Sequence, residues 1–140
     1  MKAALCKTLD GPEAIVIEDV PDPRPGAGEV CVRVKAVAFN FLDTLITRGK
    51  YQRKPDLPFS PGAEISGVIE ALGPDVTGFR VGERVCADIG WGGASELAVV
   101  PAKDLLRVPD KVADEVAAGL SITYGTAMHG LKERGRLQPS

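Results

Sequence analysis

Hydrophobic and polar residues alternate most strictly from Glu29 to Ala38, where Val30, Val32, Val34 and Ala36 fall on one side and Cys31, Arg33, Lys35 and Val37 on the other. This period of two predicts a strand with one buried face, because successive side chains of an extended chain point to opposite sides. Shorter runs of the same kind surround it. Residues 1–5 and 14–19 read as strands on either side of an Asp10-Gly11-Pro12 turn. Residues 64–72 read as another strand, ended by Gly73-Pro74, and residues 82–87 as a short one after the Phe79-Arg80-Val81 corner. Residues 95–100 and 105–108 complete the β region, and the proline- and glycine-rich run 21–28 is a loop.

From residue 113 to 133 the period changes. Val116, Leu120, Thr123 and Ala127 recur at helical spacing along one face. Gly119 and Gly125 interrupt that pattern and predict two helices meeting near Ser121. Gly135 then caps the second helix and Pro139 stops any continuation. Short, turn-separated strands followed by helices predict an α+β fold whose β part is a barrel or sandwich.

Composition narrows the function classes. A chain of 140 residues fits one domain with a single core, and 44% hydrophobic with 26% charged residues is ordinary for a globular protein. A net charge of -2 leaves no electrostatic footprint for nucleic acid; Arg48, Lys50, Arg53 and Lys54 cluster only locally. No apolar run is long enough for a membrane span, and Met1-Lys2 leads straight into the first strand. The expectation is therefore a cytoplasmic protein without a targeting segment. Cys6, Cys31 and Cys86 are far apart and odd in number, which predicts buried thiols. Three scattered cysteines and one histidine, His129, do not make the closely arranged four-ligand set of structural zinc.

A series of short motifs then carries a resemblance. Ala38-Phe39-Asn40-Phe41-Leu42-Asp43 is followed by Arg48-Gly49-Lys50-Tyr51, by Pro58-Phe59-Ser60-Pro61-Gly62-Ala63-Glu64, and by Gly67-Val68-Ile69. Val81-Gly82-Glu83-Arg84-Val85, Gly93-Ala94-Ser95-Glu96 and Ser121-Ile122-Thr123-Tyr124-Gly125-Thr126-Ala127 complete it. In order and spacing, the whole chain resembles the N-terminal, GroES-like catalytic domain of zinc-free, zeta-crystallin-like quinone oxidoreductases of the medium-chain dehydrogenase/reductase family. The resemblance implies a partly open β-barrel with C-terminal helices spanning residues 1–140. It also implies that the Rossmann cofactor domain lies outside this chain, because no Gly-rich turn sits between a strand and a helix here.

The resemblance further implies hydride transfer from NADPH to a quinone or an α,β-unsaturated carbonyl, in a protein that is a homodimer at full length. Zinc-dependent alcohol dehydrogenases resemble the same layout but place a cysteine near Asn40 and a histidine immediately before Glu64. Asn40 and Ala63 stand there instead, so no catalytic zinc is expected. By resemblance, Asn40 contacts the nicotinamide or the acceptor, Tyr51 borders the active-site cleft with its hydroxyl, and Thr123 lies near the nicotinamide carboxamide at the start of the last helix. Leu45 replaces a second tyrosine of several relatives, which implies a more apolar pocket. Asp43 is expected to cap a turn or orient Arg48, and Glu64 to bond an arginine or backbone groups. Trp91 and His129 are expected to pack or to lie at the surface. Without its cofactor domain the chain is expected to be inactive. The alternatives are a fragment with no activity of its own and a GroES-like binding module, since fold does not fix function.

Overall fold

The computed structural model describes residues 1–138, so the stop predicted at Pro139 lies outside the described residues. Its strands are β1 (Lys2–Cys6), β2 (Ile15–Asp19), β3 (Glu29–Ala38), β4 (Glu64–Leu72), β5 (Arg84–Asp88), β6 (Leu97–Pro101) and β7 (Leu106–Arg107). Helices α1 (Phe41–Ile46), α2 (Asp114–Ala118) and α3 (Gly125–Met128) join them, with wider π-type turns at Leu120–Tyr124 and His129–Arg134. Strands β1 and β2 form an antiparallel ribbon, and the rest form an antiparallel sheet in the order β6-β3-β4-β5-β7. Isolated bridges from Ala3 to Ser95 and from Cys6 to Phe59 tie the ribbon to the sheet. The sheets do not close, which gives the expected α+β architecture of a partly open barrel with helices after it.

The core lies inside this barrel, where Val30, Val32, Ile65, Ile69, Val85, Ala87, Ala98, Val100 and Leu105 pack together. Strand β3 departs from the strict alternation of its sequence. Val34 pairs with Gly67 and Ala36 with Ser66, so Lys35 is an extra residue with no partner in β4. A bulge of one residue reverses which side chains face inward. Val37, not Ala36, therefore joins Val34 against the core. Gly67 sits at this irregularity because a Cβ there would stand 2.1 Å from the carbonyl oxygen of Arg33.

Strand β4 is buried on both faces. Ile65 and Ile69 face the barrel core, while Glu64 and Ser66, also buried, alternate with them. The Ser66 hydroxyl donates to the carbonyl of Asp114 at 2.7 Å, so the start of α2 covers this second face. Arg84 extends the contact, donating to Asp114 Oδ1 at 2.8 Å and to the carbonyl of Val112 at 2.6 Å. Cys86, Val108 and Ala117 fill the space between β5 and α2.

Several element boundaries differ from the sequence expectation. Strand β5 begins at Arg84, not residue 82, because Gly82 turns the chain at a φ of 90°. Strand β7 shortens to Leu106–Arg107, with Leu105 turned into the core. The break between helical segments falls at Gly119 (φ -92°, ψ 12°) rather than Ser121. Gly135 does end the helical run, but the left-handed turn falls on Arg136, at a φ of 49°. Helix α1 has only six residues, too few for an amphipathic period to register. Among the described residues, no helix is long and apolar enough to cross a membrane.

Candidate functional site

The candidate site is built where β3 ends, α1 begins and β4 starts. Asn40 is extended, at a φ of -117° and ψ of 170°, and occupies the N-cap of α1. Asp43, three residues on, turns its carboxylate back to accept the N–H of Asn40 at 2.7 Å, as a capping box requires. Its other oxygen accepts the N–H of Gly62 at 2.8 Å. Asp43 thus caps the turn, as one of its two expected roles holds, and clamps the loop before β4 to α1. It does not orient Arg48, which instead pairs with Glu13 at 3.3 Å.

The clamp brings Glu64 beneath Asn40. Glu64 has 0% of its surface exposed, and both of its oxygens accept hydrogen bonds. Oε2 accepts a hydrogen bond from Asn40 Nδ2 at 2.9 Å, and Oε1 accepts one from the backbone N–H of Ile122 at 2.6 Å. One buried carboxylate therefore joins the first helix to the segment after Gly119. No arginine reaches it: one partner is backbone, as expected, and the other is the Asn40 side chain. Burial of a carboxylate without such partners would be costly, so both bonds are structural requirements.

Thr123 follows the amide that Glu64 holds, but the expected helix start is not there. The last α-helical stretch begins at Gly125, and Thr123 lies inside the wide turn Leu120–Tyr124, with its side chain exposed. The glycines loosen this run into π-type turns, and the polar contact falls one residue earlier, on Ile122.

Tyr51 belongs to a different face of α1. Leu42 and Ile46, one helical turn apart, pack with Tyr51, Trp91, Cys6 and Phe59. A cleft of ≈ 60 Å³ opens there between Tyr51, Arg53, Asp88 and Trp91. The Arg53 guanidinium stands 5.5 Å from the Trp91 ring centroid, so Trp91 both packs and carries a cation. Asn40, with Asp43, Thr44 and Thr47, lines a separate cleft of ≈ 310 Å³ against Pro12 and Ile15. The structure thus brings together Asn40 and the neighbour of Thr123, and leaves Tyr51 on the other side of the helix.

The cysteines are free and buried, as expected. Burial pushes the Cys86 thiol up, and the charge of Glu64 adds to this. His129 is exposed and meets Glu133 at 2.9 Å. Among the described residues, no three histidine, cysteine or acidic side chains converge on one point. The residue that sequence reasoning undervalued is Glu64. Its signal was a lone charge in the otherwise apolar or small run from Gly62 to Ile69.

The fold agrees with what the chain matches. Residues 26–110 match the alcohol dehydrogenase GroES-like domain, and the chain belongs to that family. Quinone oxidoreductase-like protein 2 of Rattus norvegicus is 41% identical over 139 residues, covering 99% of this chain and 39% of its own length. The solved quinone oxidoreductase of Pseudomonas syringae superposes with a TM-score of 0.92 at 37% identity, over 99% of this chain and 43% of that one. The quinone oxidoreductase of Thermus thermophilus, solved also in complex with NADPH, superposes at 0.84 with 36% identity, over 100% of this chain and 43% of that one. The chain therefore spans well under half the length of these relatives.

Proposed function

We propose that the chain is the substrate-side domain of an oxidoreductase that uses NADPH, without a metal, to reduce a quinone or an α,β-unsaturated carbonyl. The observation that carries this reading is the Asn40–Glu64–Ile122 junction. There a half-buried carboxamide is held by a buried carboxylate beside the segment through which the chain leaves the sheet. A carboxamide both donates and accepts, which suits either the nicotinamide carboxamide or an acceptor oxygen. The names of the relatives support the acceptor class, and the NADPH complex of the Thermus thermophilus protein supports the cofactor.

NADPH, when bound, supplies the hydride. This chain's residues orient the partners and stabilise the oxyanion that develops on the acceptor. Asn40 binds the nicotinamide or the acceptor, Thr123 stands beside the held amide of Ile122, and Tyr51 offers its hydroxyl from the neighbouring cleft. Among the described residues the sheet is antiparallel and the Gly90–Gly93 turn leads into β6 rather than a helix, which supports a pyrophosphate cradle lying elsewhere. We assign that cradle to the part of the relatives' length that this chain does not span, in a full-length homodimer. The donor chemistry supports independence from zinc, since an amide at Asn40 and a methyl at Ala63 replace a thiolate and an imidazole.

The test is NADPH oxidation with a simple benzoquinone, for the 140-residue chain and for the full-length gene product. Activity in the full-length protein alone, retained after dialysis against a chelator, is expected. Activity in neither form sinks quinone reduction as the function.

A further inference from the structure

We infer that Glu64 is a positioning residue that fixes which end of the Asn40 carboxamide is presented to a bound ligand. The inference rests on the reading of Asn40 given above. The two ends of a carboxamide have nearly the same shape and opposite hydrogen-bonding character. The Asn40 side chain also faces the Asp43 N–H across the capping box but makes no hydrogen bond to it, because that N–H is bonded to the Asn40 backbone carbonyl, so the helix end does not hold one orientation. Glu64 does, because its Oε2 lies 2.9 Å from Nδ2 and only accepts. The reversed amide would set Oδ1 against a buried carboxylate oxygen, two acceptors with no proton between them.

Glu64 is itself held. Its other oxygen accepts the backbone N–H of Ile122 at 2.6 Å, and its side chain has no contact with solvent through which water could take either place. The Ile122 N–H is main chain and cannot be reversed, whereas the Asn40 amide can rotate. This asymmetry makes Glu64→Gln informative. Glutamine has the same shape but one acceptor oxygen and one NH2. Its oxygen stays with the Ile122 N–H, and its NH2 meets Asn40. The satisfied arrangement then turns the Asn40 amide over, oxygen inward. Glu64→Gln therefore keeps a paired interior and presents the opposite end of Asn40 to the ligand, whereas Glu64→Ala strands two donors.

The experiment has two independent readouts. The first is the Asn40 side-chain amide in NMR spectra of the 140-residue chain. The wild type is expected to show one slowly exchanging Nδ2 proton, and Glu64→Gln to lose it. A wild-type proton that exchanges like a free amide overturns the inference, whether or not the variant folds. The second is steady-state kinetics of the full-length product. Glu64→Gln is expected to lower kcat/KM at least about tenfold, on the order of one lost hydrogen bond to a bound group, with the thermal midpoint nearly unchanged. An active, folded Glu64→Gln enzyme with wild-type kcat and KM overturns the inference. If the wild type reduces no quinone or enone, the proposed function fails on its own, and the NMR comparison alone decides the role of Glu64.

Discussion

The Asp43 carboxylate accepts the backbone N–H of Gly62 at 2.8 Å, across nineteen residues of sequence. The bond is buried, and it ties the loop before β4 to the first turn of α1. Asp43 also accepts the Asn40 N–H, so Asp43→Ala leaves two donors of the site without their acceptor. The expected cost is about 3 kcal/mol of folding stability. Urea unfolding of the two proteins measures it, and a loss below about 1 kcal/mol would show that water replaces the carboxylate.

Gly62 is the other half of that relationship. Its φ is 97°, and a Cβ there would lie 2.6 Å from Val37 Cγ2 and 3.0 Å from the Ala94 amide nitrogen. Gly62→Ala is therefore strained by both conformation and space. Its unfolding midpoint should fall clearly below that of Gly28→Ala, where φ is 74° but nothing lies within 4 Å of the added carbon. Equal losses for the two variants would leave only the backbone conformation as a cause.

Much of the fold was legible in the sequence because β3 and β4 carry long apolar runs bounded by turns, and both strands have the predicted ends. The inward face of the second half of β3 was not legible. A bulge depends on the partner strand, and nothing near Lys35 announces it. This gives a test. Val37→Ser should destabilise by about 1–2 kcal/mol, since Val37 packs on the core, while Ala36→Ser should cost much less. The reverse ranking would restore the uninterrupted alternation.

The site was partly legible. Asn40 stood out by its resemblance to a family motif and Asp43 by its place one turn on, and the capping box that joins them is local. The link from Glu64 to Ile122 crosses fifty-eight residues, and only the packing of the 120s segment over β4 creates it. Thr123 was one residue from that contact, because the regular helical period assumed for it does not hold through the π-type turn.

The outer face of the helical run from α2 onward is largely uncovered. Val116, Leu120, Tyr124, Met128 and Leu131 recur every three or four residues, and each is 41–61% exposed. Such a stripe favours association in a chain of this length taken by itself. Light scattering should show the apparent mass of the 140-residue protein rising with concentration, and Leu120→Lys with Met128→Lys should suppress the rise. A wild type that stays monomeric into the millimolar range would count against the stripe as a contact surface.

Burial raises the thiol of Cys86 above its ordinary value, and the Glu64 charge raises it further. Cys31 is raised as well, first by burial and then by Glu70. In both cases the folded state keeps a proton that the unfolded chain releases. The stability derivative with respect to pH is therefore negative above the unfolded value, near ~8.5, and the contribution is fully present below it. The urea midpoint should fall between pH 8 and pH 10, and the thiols should resist alkylation in the folded protein. Cys86→Ala lowers stability at every pH by leaving a small cavity beside Val108 and Ala117. Its fall between pH 8 and pH 10 should nevertheless be shallower than that of the wild type, because one of the protons responsible is gone. Parallel pH profiles for the two proteins would mean that Cys86 ionises alike in the folded and unfolded states, and that its burial against α2 does not hold in solution.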